Sequence, residues 1–319
     1  MPRKILFINQ AHPVLEKKLT DLGYECHLHF DTPKEEIERM LLDFFGVVMR
    51  SRINVDQSFI DAGTNLKFIA REGVGIEHID VEYAKSKGIE VITSPEGSQD
   101  TVAEHAMAHL LNLLNHINRA NNQVKAGVWS REENRAIELK GKTVGIIGYG
   151  NMGRSFAKRL SGFDCKVIAY DKYKTDYGDE YAEAVSLSQL QAESDIISLH
   201  VFYERENHLF VNDEYLSAFQ KNIFVINTAR GLVLDTAALV RHLKTGKVRG
   251  AALDVLEYEE QSFSQLTAEN LPPAFTYLTE ADNVILAPHI AGWSSESKEG
   301  HGRVLGGKIE QQFGRGNVL

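Results

Sequence analysis

The chain has 319 residues, 43% hydrophobic and 25% charged, with a formal net charge of −9. That length exceeds what one hydrophobic core normally serves, so two domains are expected, and the composition excludes a disordered acidic segment. The negative balance gives no electrostatic footprint for nucleic acid or an anionic membrane, no apolar run reaches transmembrane length, and Met1-Pro2-Arg3 enters Ile5-Leu6-Phe7-Ile8 without a signal-peptide pattern, so a cytoplasmic location is expected.

From the first residues, short β-rich runs alternate with helical patterns, which predicts an α/β architecture with parallel sheets throughout. Strands are expected over residues 4–9, 24–30, 46–49, 68–70 and 90–93, and helices over 14–22, 34–42, 56–62 and 81–86. Cys26 and Cys165 lack metal spacing and read as buried apolar residues in a reducing compartment. Arg50 and Arg71 each follow a strand, so both project from carboxyl ends, where ligands of open α/β sheets bind; Arg52 is a weaker third candidate. The chain turns at Ser94-Pro95-Glu96-Gly97. A helix beginning near Thr101 then carries Val102, Ala106, Leu110, Leu113 and Leu114 at helical spacing, long enough to bridge two domains.

After that helix comes the run Thr143-Val144-Gly145-Ile146-Ile147, then Gly148-Tyr149-Gly150-Asn151-Met152-Gly153, a helical pattern, and a second strand closing at Asp171. In such a βαβ unit the first glycine permits a tight turn, the second lets the backbone approach a pyrophosphate, and the third allows close helix–strand packing. Asp171 falls near the offset of about 20 residues at which a carboxylate reaches both ribose hydroxyls, and it would repel a 2′-phosphate. NAD is therefore the expected cofactor, with Lys172 and Lys174 close enough to soften that preference. The cofactor domain, residues 99–289, would be inserted into a first domain formed by residues 1–98 and 290–319.

Further strands end in polar residues. The run over 195–200 ends at His200, the run over 223–227 enters Thr228-Ala229-Arg230-Gly231, the run over 250–255 brings Asp254 and then Glu257, Glu259 and Glu260, and the run over 284–287 delivers Pro288-His289. An arginine can hold a carboxylate bidentately, and a histidine can exchange a hydroxyl proton while hydride moves to or from a nicotinamide. No metal is expected, because His, Cys and carboxylates show no close ligand spacing. His12, His27, His29, His109 and His116 read as surface or hydrogen-bonded core residues.

The order of Gly73-Val74-Gly75-Ile76-Glu77-His78-Ile79-Asp80, Val102-Ala103-Glu104-His105, the glycine loop, Asn227–Gly231, Asp254-Val255-Leu256 and Pro288-His289-Ile290-Ala291-Gly292 resembles the D-isomer-specific 2-hydroxyacid dehydrogenases. The resemblance implies two Rossmann-like or flavodoxin-like domains with parallel sheets and the substrate in the cleft between them. It makes Arg230 the carboxylate clamp, His289 the acid/base and Glu259 its orienting partner, with Glu257 and Glu260 facing solvent. It assigns Gly148, Gly150, Asn151, Met152, Gly153, Asp171, His200, Val201, Thr228, Ala229, Asp254 and Gly292 to the cofactor, with His200 lining the nicotinamide side. Arg50, Ser51 and Arg71 with the Val74 and Gly75 backbone fall to the substrate, and the two arginines match positions that hold a phosphate.

D-3-phosphoglycerate is then the expected substrate, on the route to serine. The runner-up is glyoxylate or hydroxypyruvate reduction, and the reading from another class is an NAD-sensing corepressor-like protein. A homodimer through the apolar helix over 102–114 is also implied. The chain differs from the family pattern at Val201-Phe202-Tyr203-Glu204, in the long connection over 261–282, which could lid the site, and at Trp293, which could narrow the pocket. It leaves no room after Leu319 for an appended regulatory domain, so serine feedback through one is not expected.

Overall fold

The structure is a computed structural model that describes residues 2–259 and 272–314. The chain divides into two compact units, Met1–Gln99 with Trp293–Leu319, and Asp100–Gly292. The second division falls three residues beyond the expected one. The Ile290 and Ala291 N–H groups are bound to the Asp254 carboxylate at 2.8 Å each, which keeps that segment with the second unit.

In the first unit, β1 (Lys4–Phe7), β2 (Glu25–Leu28), β3 (Gly46–Met49), β4 (Phe68–Arg71) and β5 (Glu90–Thr93) form a sheet in the order β2-β1-β3-β4-β5. Every pairing is parallel, and the order is flavodoxin-like. The period of two divides the strand residues between two cores: Leu6, Val47, Met49 and Ile69 face one way, and Ile5, Phe7, Val48, Phe68 and Ala70 the other. The helix Ser295–Phe313 opens with a capping box between Ser294 and Ser297 and adds Leu305 and Ile309 to the second core.

In the second unit, β6 (Thr143–Ile147), β7 (Lys166–Tyr170), β8 (Glu183–Ala184), β9 (Ile196–Leu199), β10 (Ile223–Asn227), β11 (Val248–Leu253) and β12 (Val284–Leu286) form a parallel sheet in the order β12-β11-β10-β9-β6-β7-β8. This is Rossmann order with one strand added. The order reverses between β6 and β9, so the glycine loop after β6 opens at the switch point. β8 has two exposed residues and no apolar pattern, which is why the sequence does not announce it.

The long helix is Gln99–Asn115, and it ends where His116 takes a left-handed φ of 54°. Its apolar stripe, including Ala106, Leu110, Leu113 and Leu114, is buried in this unit's own core. Packing on its own sheet covers that stripe. Among the described residues no helix is long and apolar enough to cross a membrane.

Candidate active site

Gly148 adopts φ +91°, and a Cβ there would lie 2.5 Å from the His200 carbonyl oxygen. A Cβ on Gly153 would lie 2.2 Å from the Gly148 carbonyl oxygen, so the helix Asn151–Leu160 approaches the turn as closely as backbone allows. A Cβ on Gly150 would meet nothing within 4 Å. Gly150 caps the helix without a side-chain bond, which leaves the first-turn N–H groups of Asn151 and Met152 with no capping acceptor among the described residues.

At the end of β7 the Asp171 carboxylate accepts the N–H groups of Tyr149 at 2.9 Å and Tyr173 at 3.0 Å, so it braces the loop. Lys172 is drawn to Glu206 at 3.3 Å and Lys174 to the Tyr149 carbonyl at 2.8 Å. Among the described residues the Thr228 hydroxyl is buried with no partner. A cradle open in front of Gly150, an uncapped helix start, a strand-end carboxylate and an orphaned hydroxyl fit a dinucleotide.

His200 follows β9. Its backbone and Val201 abut Gly148, but its imidazole pairs with the Ser198 hydroxyl at 2.8 Å and packs toward Phe156, with ring centroids 5.5 Å apart. Burial lowers its pKa to about 3, which holds the imidazole neutral. The cause is strand alternation, which sends this side chain under the loop.

The fully buried β10 ends at Asn227, whose side chain accepts the Ala229 N–H and donates to the Arg230 carbonyl, both at 3.0 Å. This shapes the turn that presents Arg230. A Cβ on Gly231 would lie 1.9 Å from the Leu256 carbonyl oxygen, so only glycine lets that turn press against the one carrying Glu259. Glu259 uses one carboxylate oxygen to accept the Leu256 N–H in a short bond and sets the other 2.7 Å from His289 Nδ1. His289 holds φ +55°, and its N–H donates to the Asp254 carbonyl at 2.8 Å. A carboxylate at Nδ1 leaves Nε2 as the atom for proton exchange.

Asp254 is buried, and its carboxylate accepts the Ile290 and Ala291 N–H groups. Burial works against its charge, yet His105 and the Ile290 and Ala291 N–H groups hold its carboxyl below the usual range. Glu257, expected to face solvent, is half-buried and accepts the Thr236 N–H at 3.0 Å, capping the helix Thr236–Thr245. Glu260 and residues 261–271 of the connection over 261–282 lie outside the described residues. Within that connection the helix Pro273–Glu280 buries Phe275 and Leu278.

In the first unit, Arg50 and Arg71 stand at the ends of β3 and β4. Arg50 Nε lies 3.9 Å from a carboxylate oxygen of Glu72, and its guanidinium lies 4.9 Å from the Trp293 ring centroid. Glu72 is 2% exposed; burial raises its pKa, and it accepts the His12 N–H at 3.2 Å. Arg71 folds back over Gly73 and donates to the Glu72 carbonyl at 3.0 Å. Arg52 spends its guanidinium on the carbonyls of Ile8, His29 and Thr32, which makes it a brace. Ser51 is exposed, and the Val74 and Gly75 N–H groups have no chain acceptor among the described residues. Sequence reasoning missed Glu72, whose signal was only its place after Arg71. It also missed His105 and His109, whose four-residue spacing on one helix was the clue.

The profile of the D-isomer specific 2-hydroxyacid dehydrogenase NAD-binding domain matches residues 107–291. A hydroxypyruvate reductase of Thermotoga maritima is 39% identical over 286 residues, covering 88% of this chain and 89% of its own. A D-3-phosphoglycerate dehydrogenase of Archaeoglobus fulgidus is 34% identical over 92% of this chain, which spans 55% of that protein's length. A solved D-lactate dehydrogenase from Aquifex aeolicus, complexed with NAD and lactic acid, superposes with a TM-score of 0.79 at 31% identity, covering 97% of this chain and 94% of its own.

Fold, glycine cradle and strand-end groups thus define an NAD-dependent oxidoreductase of 2-hydroxy acids. The chain belongs to the D-isomer-specific 2-hydroxyacid dehydrogenases.

Proposed function

We propose that this enzyme reduces short, unphosphorylated 2-keto acids of the hydroxypyruvate and glyoxylate kind and, in reverse, oxidises D-2-hydroxy acids. The observation that carries it is the 2.7 Å contact of His289 Nδ1 with Glu259, on a turn pressed against the one bearing Arg230. Arg230 grips the substrate carboxylate through paired N–H groups. Glu259 fixes the His289 ring through Nδ1, so Nε2 delivers a proton to the carbonyl oxygen and recovers it in the reverse direction. Gly148, Gly150, Asn151, Met152 and Gly153 hold the pyrophosphate and Asp171 the ribose. The bound cofactor would supply the hydride to the substrate carbon as NADH and, in reverse, take it up as NAD+. The family resemblance adds a cytoplasmic homodimer.

Absence of a phosphate on the substrate is supported by Arg52, fully used on carbonyls, and by the hydroxypyruvate reductase that matches over nearly all of both chains. A second reading, phosphohydroxypyruvate with serine biosynthesis as its setting, rests on Arg50 and Arg71 at the ends of β3 and β4. The test is consumption of NADH with hydroxypyruvate, glyoxylate, pyruvate and phosphohydroxypyruvate side by side, repeated with NADPH. The expected result is a kcat/KM for hydroxypyruvate with NADH at least ~10-fold above that for phosphohydroxypyruvate, a difference of about 1.4 kcal/mol. The reverse order would establish the second reading. Stoichiometric NAD binding with no turnover of any acid would overturn both and leave a binding protein.

A further inference from the structure

A second cluster of chemistry-bearing side chains lies in the same unit as the His289–Glu259 pair and takes no part in it. His105 and His109 stand one turn apart on the helix Gln99–Asn115, so their rings leave the same face. The two rings meet edge to face with centroids 4.3 Å apart. Asp254, just past β11, faces them: its carboxylate oxygen lies 3.4 Å from His105 Nε2, and one donor atom from each of the three residues falls within 4.8 Å of the others.

The cluster is buried and incompletely satisfied. His109 is 6% exposed and Asp254 1%. Among the described residues the Nε2 atoms of both histidines are buried and make no hydrogen bond, the 3.4 Å approach to Asp254 being too poorly aligned to count as one. A proton on His105 would serve Asp254 but leave His109 Nε2 facing nothing. Buried polar atoms are nearly always paired, so two orphaned imidazole nitrogens aimed at one carboxylate point to a missing partner that accepts lone pairs.

We propose that His105, His109 and Asp254 form a binding site for a divalent transition-metal cation, zinc foremost. Two imidazole nitrogens and a carboxylate oxygen are the donor set of three-ligand zinc sites, with the fourth position left to water, and histidines four apart on one helix suit it. Magnesium and calcium want oxygen cages and are disfavoured. The shell behind the ligands is already built, because the Ile290 and Ala291 N–H groups hold both Asp254 oxygens at 2.8 Å. Since the Asp254 carbonyl also accepts the His289 N–H, a cation here braces the segment in which His289 holds its left-handed φ.

The test uses the whole protein stripped with a chelator and needs no activity, so it stands or falls apart from the proposed reaction. Zinc is titrated by calorimetry, and cobalt by the visible absorption bands of a tetrahedral site. The expected result is one cation per chain with Kd of about 10 μM or tighter, a rise in Tm with excess zinc, and no response to magnesium. His109→Leu should weaken zinc binding by ~100-fold or more, while His109→Cys, which restores a zinc ligand, should retain it. Far-UV circular dichroism identifies any variant that fails to fold, and the Cys variant then carries the comparison with wild type. No uptake by the wild type, or unchanged uptake by His109→Leu, would overturn the proposal and leave the three residues as a packed core cluster.

Discussion

Glu259 does two things at once. One oxygen ties down the Leu256 N–H, and the other sets the His289 ring, so its charge and its geometry are both in use. Glu259→Gln keeps the shape but replaces the carboxylate that accepts from His289 Nδ1 with a neutral amide. We expect kcat to fall about 10²-fold while KM for the keto acid stays within about 3-fold, as steady-state kinetics would measure. An unchanged kcat would mean that the proton moves elsewhere. Arg52 makes the opposite case, because its three carbonyl partners lie in the first unit's own loops. Arg52→Ala should lower stability by about 1–2 kcal/mol in urea unfolding and leave kcat/KM untouched.

At the scale of an element, the glycine loop separates packing from ligand approach. Gly153 has the Gly148 carbonyl 2.2 Å from a would-be Cβ, and backbone cannot move aside cheaply. Gly153→Ala should cost about 1–3 kcal/mol of stability and weaken NADH binding with it. Gly150 has open space where its Cβ would go, so Gly150→Ala should hold stability within about 0.5 kcal/mol while lowering NADH affinity, read by fluorescence titration. Equal stability losses at the two positions would show that both glycines serve the fold alone. The long helix carries a related lesson. Its period of apolar residues announced a buried stripe, but whether that stripe met its own sheet or another chain depended on which surfaces the sheet left open.

For the whole molecule, buried neutral histidines set the acid limit. Burial lowers His109 and His301 to about 4 and His200 to about 3. Their folded values lie below the unfolded value near 6.5, so between those limits the unfolded chain binds more protons, and stability rises with pH. The stability these groups protect is whole above about pH 6.5 and is lost as pH falls toward 4. Glu72, raised by burial, opposes them, one group against three. The urea midpoint should therefore drop steeply below pH 6, by the equivalent of at least ~1 kcal/mol per pH unit. A flat profile from pH 7 to about 4.5 would contradict this account.

By itself the sequence determined the alternation of strand and helix, the glycine turn, the strand-end arginine and histidine, and the family, because each is written in local period or in residues close along the chain. Strand ends shifted by a few residues, and β8 was silent because two exposed residues carry no pattern. Tertiary structure alone decided that His200 turns under the loop, that Glu257 caps a helix, that Arg52 braces carbonyls, and that Asp254 looks toward His105 and His109. Those outcomes depend on partners far apart in sequence, such as Asp254 and His105, which meet only when β11 and the long helix pack on one sheet. The side chain's direction there is set by pleat and helix face, and its partner by topology; neither is contained in a residue and its neighbours.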